Sequence, residues 1–147
     1  GVQGDARKRR MGPILNILFN LAEMDFVTKE WKSCHERIEK IIPVMDPANV
    51  SIIRLIEFKY LLCKIKMGQI DEARLLANKH DYLDDYPYYY YANAAISYHD
   101  GKESEAERWR ASARRVFRRA STLAPWEDTM IEAGYVKSFY GRPEAEK

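Results

Sequence analysis

Three histidines (His35, His80, His99) and two cysteines (Cys34, Cys63) are the side chains here best suited to proton transfer, metal binding or nucleophilic attack. Their spacing supports none of these. No histidine belongs to an H-E-x-x-H pair. Cys34 and His35 are chain neighbours, so on a helix they point about 100° apart and cannot act as nucleophile and base. The cysteines lack zinc spacing. They read as two half-buried thiols on helices or as a Cys34–Cys63 bridge in an oxidising compartment. His80-Asp81 and His99-Asp100 stand at expected helix C-termini, where the backbone dipole favours a histidine. Asp81, Asp84 and Asp85 lack the ligand spacing of a calcium loop and read as a solvated acidic turn. No glycine-rich phosphate loop and no G-x-S-x-G is present. The expectation is a protein that is not an enzyme and uses no cofactor or metal.

Two other groups of residues could bind rather than react. "RWRASARRVFRRA" places six arginines between Arg108 and Arg119. Arg110, Arg114 and Arg118 form one helical stripe; Arg108, Arg115 and Arg119 form a second. Such a face is the solvated side of an amphipathic helix, a contact for an acidic protein, or a nucleic-acid surface. Overall charge does not point to nucleic acid, because 24 basic residues against 22 acidic give only +2. The second group is aromatic: Tyr86, the run Tyr88–Tyr91, and Tyr98. At 100° per residue the run cannot share one face. Tyr88, Tyr91, Ala95 and Tyr98 lie on one arc, with Tyr90, Ala94 and Ser97 roughly opposite.

The elements that position these residues are all helical. Pro13 opens "PILNILFNLAEM", and Asp25–Phe26 is expected to break it. Thr28 is the expected N-cap of "KEWKSCHERIEKII", which Pro43 and Pro47 close. A helix over about 48–67 carries two apolar stripes, one of them Leu55, Phe58, Leu62 and Ile65, and Gly68 ends it. "DEARLLANKH" follows, then an acidic loop, "DYLDDYP". The tyrosine helix spans about 87–99. Ser104 starts a long helix to about Thr122, Ala124–Pro125 breaks the chain, and a last helix ends at Gly141. Period-two alternation is absent, so the fold class is all-α, with about seven helices in antiparallel hairpins. No apolar run approaches the ~20 residues needed to cross a bilayer. Residues 1–12, with Arg7, Lys8, Arg9 and Arg10, read as a basic tail. The chain opens with Gly1 rather than Met, which leaves a cytoplasmic and an exported location both open.

The hairpins repeat. "MGQIDEARLLA" and "DGKESEAERWRA" superpose on Gly68 and Gly101, 33 residues apart, each glycine preceding an acidic helix start and a Glu-Ala pair. Glycine supplies the positive φ of the turn, the acidic residues suit the helix N-terminus, and alanine allows close approach. This pattern resembles the tetratricopeptide repeat (TPR), a helical hairpin of about 34 residues. The units are 13–47 (degenerate, with Trp31 where a small residue is usual), 51–86, 87–125 and a partial or capping unit over 126–147. In unit two, Glu57 and Lys64 fall where packing residues are expected, positions held by Tyr90 and Ser97 in unit three.

The resemblance implies a right-handed α-α superhelix whose first helices line a concave groove, and a non-catalytic scaffold binding a protein or peptide there. Tyr88, Tyr91, Tyr98 and His99 would face that groove, with Leu55, Phe58 and Leu62 as counterparts one unit earlier. Arg110, Arg114 and Arg118 would offer a second contact. Two states of the groove stay open: an accessible aromatic surface, or rings packed against the rest of the chain. The alternative function is nucleic-acid binding through the Arg108–Arg119 face. The sequence leaves the oligomeric state and the partner's identity open.

Overall fold

The computed structural model describes residues 12–137. Among them the fold is all-α: α1 (Pro13–Val27), α2 (Trp31–Ile41) running into a 3-10 turn (Ile42–Val44), α3 (Val50–Lys66), α4 (Ile70–Ala77), α5 (Tyr88–His99), α6 (Glu103–Val116) and α7 (Ala120–Glu132). The basic tail up to residue 11 and the proposed helix end at Gly141 lie outside the described residues.

One turn is used four times. Lys29, Gly68, Gly101 and Gly134 all take positive φ, between 64° and 88°. At each, the next residue's N–H reaches back five residues: Glu30 to Asp25 O, Gln69 to Lys64 O, Lys102 to Ser97 O and Tyr135 to Met130 O, at 2.8–3.0 Å. These bonds satisfy carbonyls that a helix end leaves free. The three glycines are spaced by 33 residues, so α3, α5 and α7 end in equivalent turns. Lys29 does the same work in the first hairpin without glycine's freedom.

These turns shift several expected boundaries. Asp25–Phe26 does not break α1: Phe26 is a fully buried core residue, and the helix runs on to Val27. Thr28 is therefore no N-cap; its hydroxyl donates to Met24 O (2.8 Å) at the end of α1. The long arginine helix stops at Val116, not Thr122. Phe117 turns extended (φ −110°, ψ 93°) and lays its ring against Tyr90, 6.1 Å between centroids. Pro125 does not break the chain but sits inside α7. It is exposed and near the helix start, so the one intrahelical hydrogen bond it forfeits faces water. The last helix ends with Glu132 and the Gly134 turn.

The paired helices α1–α2, α3–α4 and α5–α6 pack side by side, and α3 also packs on α2 and α5. α7 returns across this array and contacts α3 and α6. Trp126 lies on Phe58 (5.2 Å) and Tyr91 (5.9 Å). The core runs continuously from Leu15 and Phe19 in α1 to Met130 in α7.

The two charges that interrupt the unit-two pattern are buried and paired. Glu57 meets Lys79 and His80, both at 2.8 Å, and Arg54 at 3.6 Å. Lys64 bonds Gln69 and Glu72, each at 3.0 Å, and so ties α3 to the start of α4. Arg54 also takes Asp84 through two bonds (2.9 and 3.1 Å), which pins the acidic loop to α3. Cys34 on α2 and Cys63 on α3 are both fully buried and free. Cys34 Sγ donates to Ala22 O (3.3 Å). The neighbouring Cys34 thiol and burial push the Cys63 thiol up.

Candidate binding cleft

The residues expected to line a groove are mostly inside. Tyr88, Tyr91, Phe58 and Leu62 are each 0% exposed. Of the two groove states left open by the sequence, the packed one is found: α7 packs on Phe58 and Tyr91, while Tyr88 packs on α3, α4 and His80. Each phenol finds a partner as it is buried, as a buried hydroxyl must. Tyr88 donates to Leu76 O (2.7 Å) and meets the edge of the His80 ring. Tyr91 donates to Glu127 Oε2 (2.6 Å) on α7. Burial pushes the Tyr88 phenol up, reinforced by the Glu57 carboxylate. Tyr98 is half-buried, stacked on Tyr135 and hydrogen-bonded to Glu107. Leu55 is half-buried beside a small apolar hollow between α1, α2 and α3. His99 is exposed at the end of α5.

The arginine stripe also divides. Arg110 is not on a solvated face: its side chain is 4% exposed and that of its partner Glu127 is 0%. Arg110 donates to both Glu127 oxygens (2.6 and 3.2 Å), to Glu107 (2.9 and 3.0 Å) and to the Tyr98 hydroxyl (3.3 Å). It is the joint between α5, α6 and α7. Arg114 is half-buried. Arg118 is exposed but lies past the end of α6, so the i, i+4, i+8 stripe does not extend to it.

Arg108 and Arg115 of the second stripe open onto a cleft, and Arg119 lies past the end of α6. A cavity of about 730 Å³ lies over α5, walled by α6, with Arg74 of α4 at one edge. Its origin is the length of α4, eight residues against fourteen in α6. The chain leaves α4 early because Lys79 and His80 are drawn to the buried Glu57 carboxylate on α3. The part of α5 that a longer α4 would cover, around Asn93 and Ile96, is left as floor.

The cleft is polar and cationic, with one aromatic side chain, Trp109, on its α6 wall. Arg74, Lys102, Arg108 and Arg115 line it, against Asp100 and Glu105. The carboxylates are engaged: Asp100 holds Arg74 through two bonds (2.7 and 2.9 Å), and Glu105 accepts from Ser97 (2.9 Å). The Arg74 guanidinium holds the Asp100 carboxyl below its ordinary value. Arg115 donates to the Ser112 hydroxyl (2.8 Å). Arg108 makes no ion pair among the described residues. Trp109 is held in place by the Tyr89 ring, edge to face (5.3 Å), and by the tilted Tyr90 ring (6.4 Å). Asn93 is oriented by its bond to Tyr89 O (2.7 Å).

Arg108 and Arg115 were visible in sequence as one stripe. Asn93 was not singled out, and Arg74 stood only within the repeated turn segment. The usable signal was the early loss of helical pattern after Ala77 compared with the equivalent stretch after Arg110.

Among the described residues no cluster of histidine, cysteine or carboxylate side chains could hold a metal ion, and no helix is long and apolar enough to cross a membrane. Compared with protein-family models, curated proteins and solved structures, the chain has no significant match.

Proposed function

We propose that this chain is a TPR-like helical-repeat module that binds an acidic segment of another protein, without catalysis, in the cleft between α4, α5 and α6. The observation that carries this is the composition of that cleft: Arg74 is already paired with Asp100, but Lys102, Arg108 and Arg115 line it beside a single further carboxylate, Glu105, which Ser97 engages, with a tryptophan held by its neighbours on the wall. Guanidinium groups suit carboxylates through paired N–H donors, and an aromatic side chain adds contact area at low entropy cost. The repeated helix–turn–helix units supply the rigid scaffold such a site needs.

The test is fluorescence anisotropy with a labelled decameric glutamate/aspartate peptide, and labelled single-stranded RNA and DNA of matched charge alongside. The peptide should bind, and Arg108→Ala/Arg115→Ala should weaken it about tenfold, from two partly screened contacts of roughly 0.7 kcal/mol each. Tighter binding of RNA or DNA, with a steep salt dependence lost in the same variant, would establish the nucleic-acid reading instead. No binding of any probe at low salt would sink the cleft assignment.

A further inference from the structure

The cleft between α4, α5 and α6 has the outline of a missing piece of helix. α4 and α6 each follow one of the equivalent glycine turns, at Gly68 and Gly101, yet α4 has eight residues and α6 fourteen. The shortfall is about 9 Å of helix at 1.5 Å per residue. A helix about 10 Å across and that long fills ~700 Å³. The cleft holds about 730 Å³. Along its wall Glu105, Arg108, Ser112 and Arg115 follow one another at three-four-three. That is the seam spacing of helices that pair along their length.

We infer that the segment bound here is an amphipathic acidic α-helix, with two carboxylates seven residues apart and an apolar side chain between them on the same face. The inference rests on the acidic-segment reading above and adds the segment's shape. Arg108 and Arg115 are seven residues apart on α6, about 10.5 Å along its axis and nearly in line. Carboxylates at the same interval on a helix laid alongside meet both. Both arginines are exposed; Arg108 makes no ion pair among the described residues, and Arg115 donates to the uncharged Ser112 hydroxyl. Between them lies Trp109, half-buried on the wall, with half-buried Ile96 on the floor. A leucine on the partner's intervening turn covers both. The backbone argues the same way. Within α5 and α6 the N–H and C=O groups are bonded along each helix. A strand lying between them would give up the hydration of its own backbone with no ladder to replace it, whereas a helix brings its hydrogen bonds with it.

The test is anisotropy at low salt with the full chain and labelled alanine-rich peptides. The first is stapled into a helix on its outer face and carries Glu, Leu and Glu at i, i+3 and i+7. The second is stapled and has the same composition, with both glutamates on the face opposite the leucine. The third is the first sequence without the staple and with a central proline, which keeps the charges and breaks the helix. The first should bind at least tenfold more tightly than either of the others. Arg115→Glu, at an exposed position, should leave the circular dichroism spectrum unchanged and weaken the first peptide at least tenfold. Changing one particular glutamate of that peptide to lysine, and not the other, should restore binding to this variant. If the proline peptide binds as tightly as the first, or the two stapled peptides bind equally, the helix inference is overturned and the acidic-segment reading stands. If none of these peptides binds and the glutamate/aspartate decamer fails too, or if labelled RNA or DNA binds more tightly than all of them, both fall.

Discussion

Replacing Glu127 should be among the most damaging single changes to this protein, and the size of the effect follows from its surroundings. Its side chain is 0% exposed. It accepts from Arg110 at 2.6 and 3.2 Å and from Tyr91 at 2.6 Å. Removing one member of a buried ion pair costs about 3–5 kcal/mol, because the other charge stays buried without its counter-charge. Arg110 keeps Glu107, which is partly exposed, so Glu127→Ala belongs at the lower end, near 3 kcal/mol. Arg110→Met is worse: the Glu127 carboxylate would retain only the Tyr91 hydroxyl. Arg110→Met/Glu127→Leu fills the space with apolar atoms, but it takes the Glu127 acceptor from the Tyr91 hydroxyl, at roughly 1–3 kcal/mol. Adding Tyr91→Phe should bring the triple variant back to near wild-type stability. Urea unfolding followed by tryptophan fluorescence and by circular dichroism gives the values, provided the two transitions coincide. Glu127→Ala should lower Tm by about 6–12 °C for a chain of this size. A loss under about 1 kcal/mol for Glu127→Ala, or a triple variant no better than the single, would refute the reasoning.

Three further outcomes follow from single residues. Gly68→Ala, Gly101→Ala and Gly134→Ala each place a Cβ in open space, so each should cost only the left-handed backbone penalty of about 1–2 kcal/mol in urea midpoints, and the three should agree. Cys34 and Cys63 should both resist a thiol reagent such as DTNB in the native protein and both react in urea, and rapid native labelling would contradict their burial. Burial, aided by Lys64, holds His35 below its ordinary value near 6.5, so the unfolded chain takes up the proton first. Its contribution is therefore present above pH 6.5 and lost as pH falls through the folded value, and unfolding midpoints at pH 7.5 and 5.5 should differ less in His35→Phe, which keeps a ring stacked on Tyr60, than in wild type.

The helices were legible because their apolar spacing and glycine turns are local properties. Gly68 and Gly101 were paired at 33 residues from sequence alone, and Gly134 completes the series. Gly134 escaped notice as a turn because "GYVKSFYG" keeps a helical pattern beyond it, so the signal for stopping was the period and not the neighbouring residues. Lys29 takes the same turn with no sequence mark at all. Thr28 and Pro125 misled for a related reason. Each is a sound boundary residue by preference, but preference does not say which end of a helix a threonine caps, or whether a proline falls where the lost bond is exposed. That Tyr90 packs within its hairpin was legible, but what covers Tyr91 was not. It depends on α7 returning across α3 and α5, a contact between residues 36 positions apart for Tyr91 and Glu127.

The buried charges connect these points. Glu57, Lys64, Arg110 and Glu127 occupy places where apolar residues would pack without desolvation cost. Each instead names its partner. Glu57 fixes where the chain leaves α4, Lys64 fixes the start of α4, and the Arg110–Glu127 pair fixes α7. An apolar face on α7 would tolerate a slide of one turn along the Phe58–Tyr91 surface. A carboxylate that must meet both a guanidinium and a phenol would not, because a shift of about 5.4 Å strands all three groups. The same logic reaches the surface. If Glu57 were apolar, Lys79 and His80 would have no reason to turn toward α3, α4 would be free to run longer, and the floor of the cleft would be covered. An acid in the core of one unit thus shapes the basic cleft over the next.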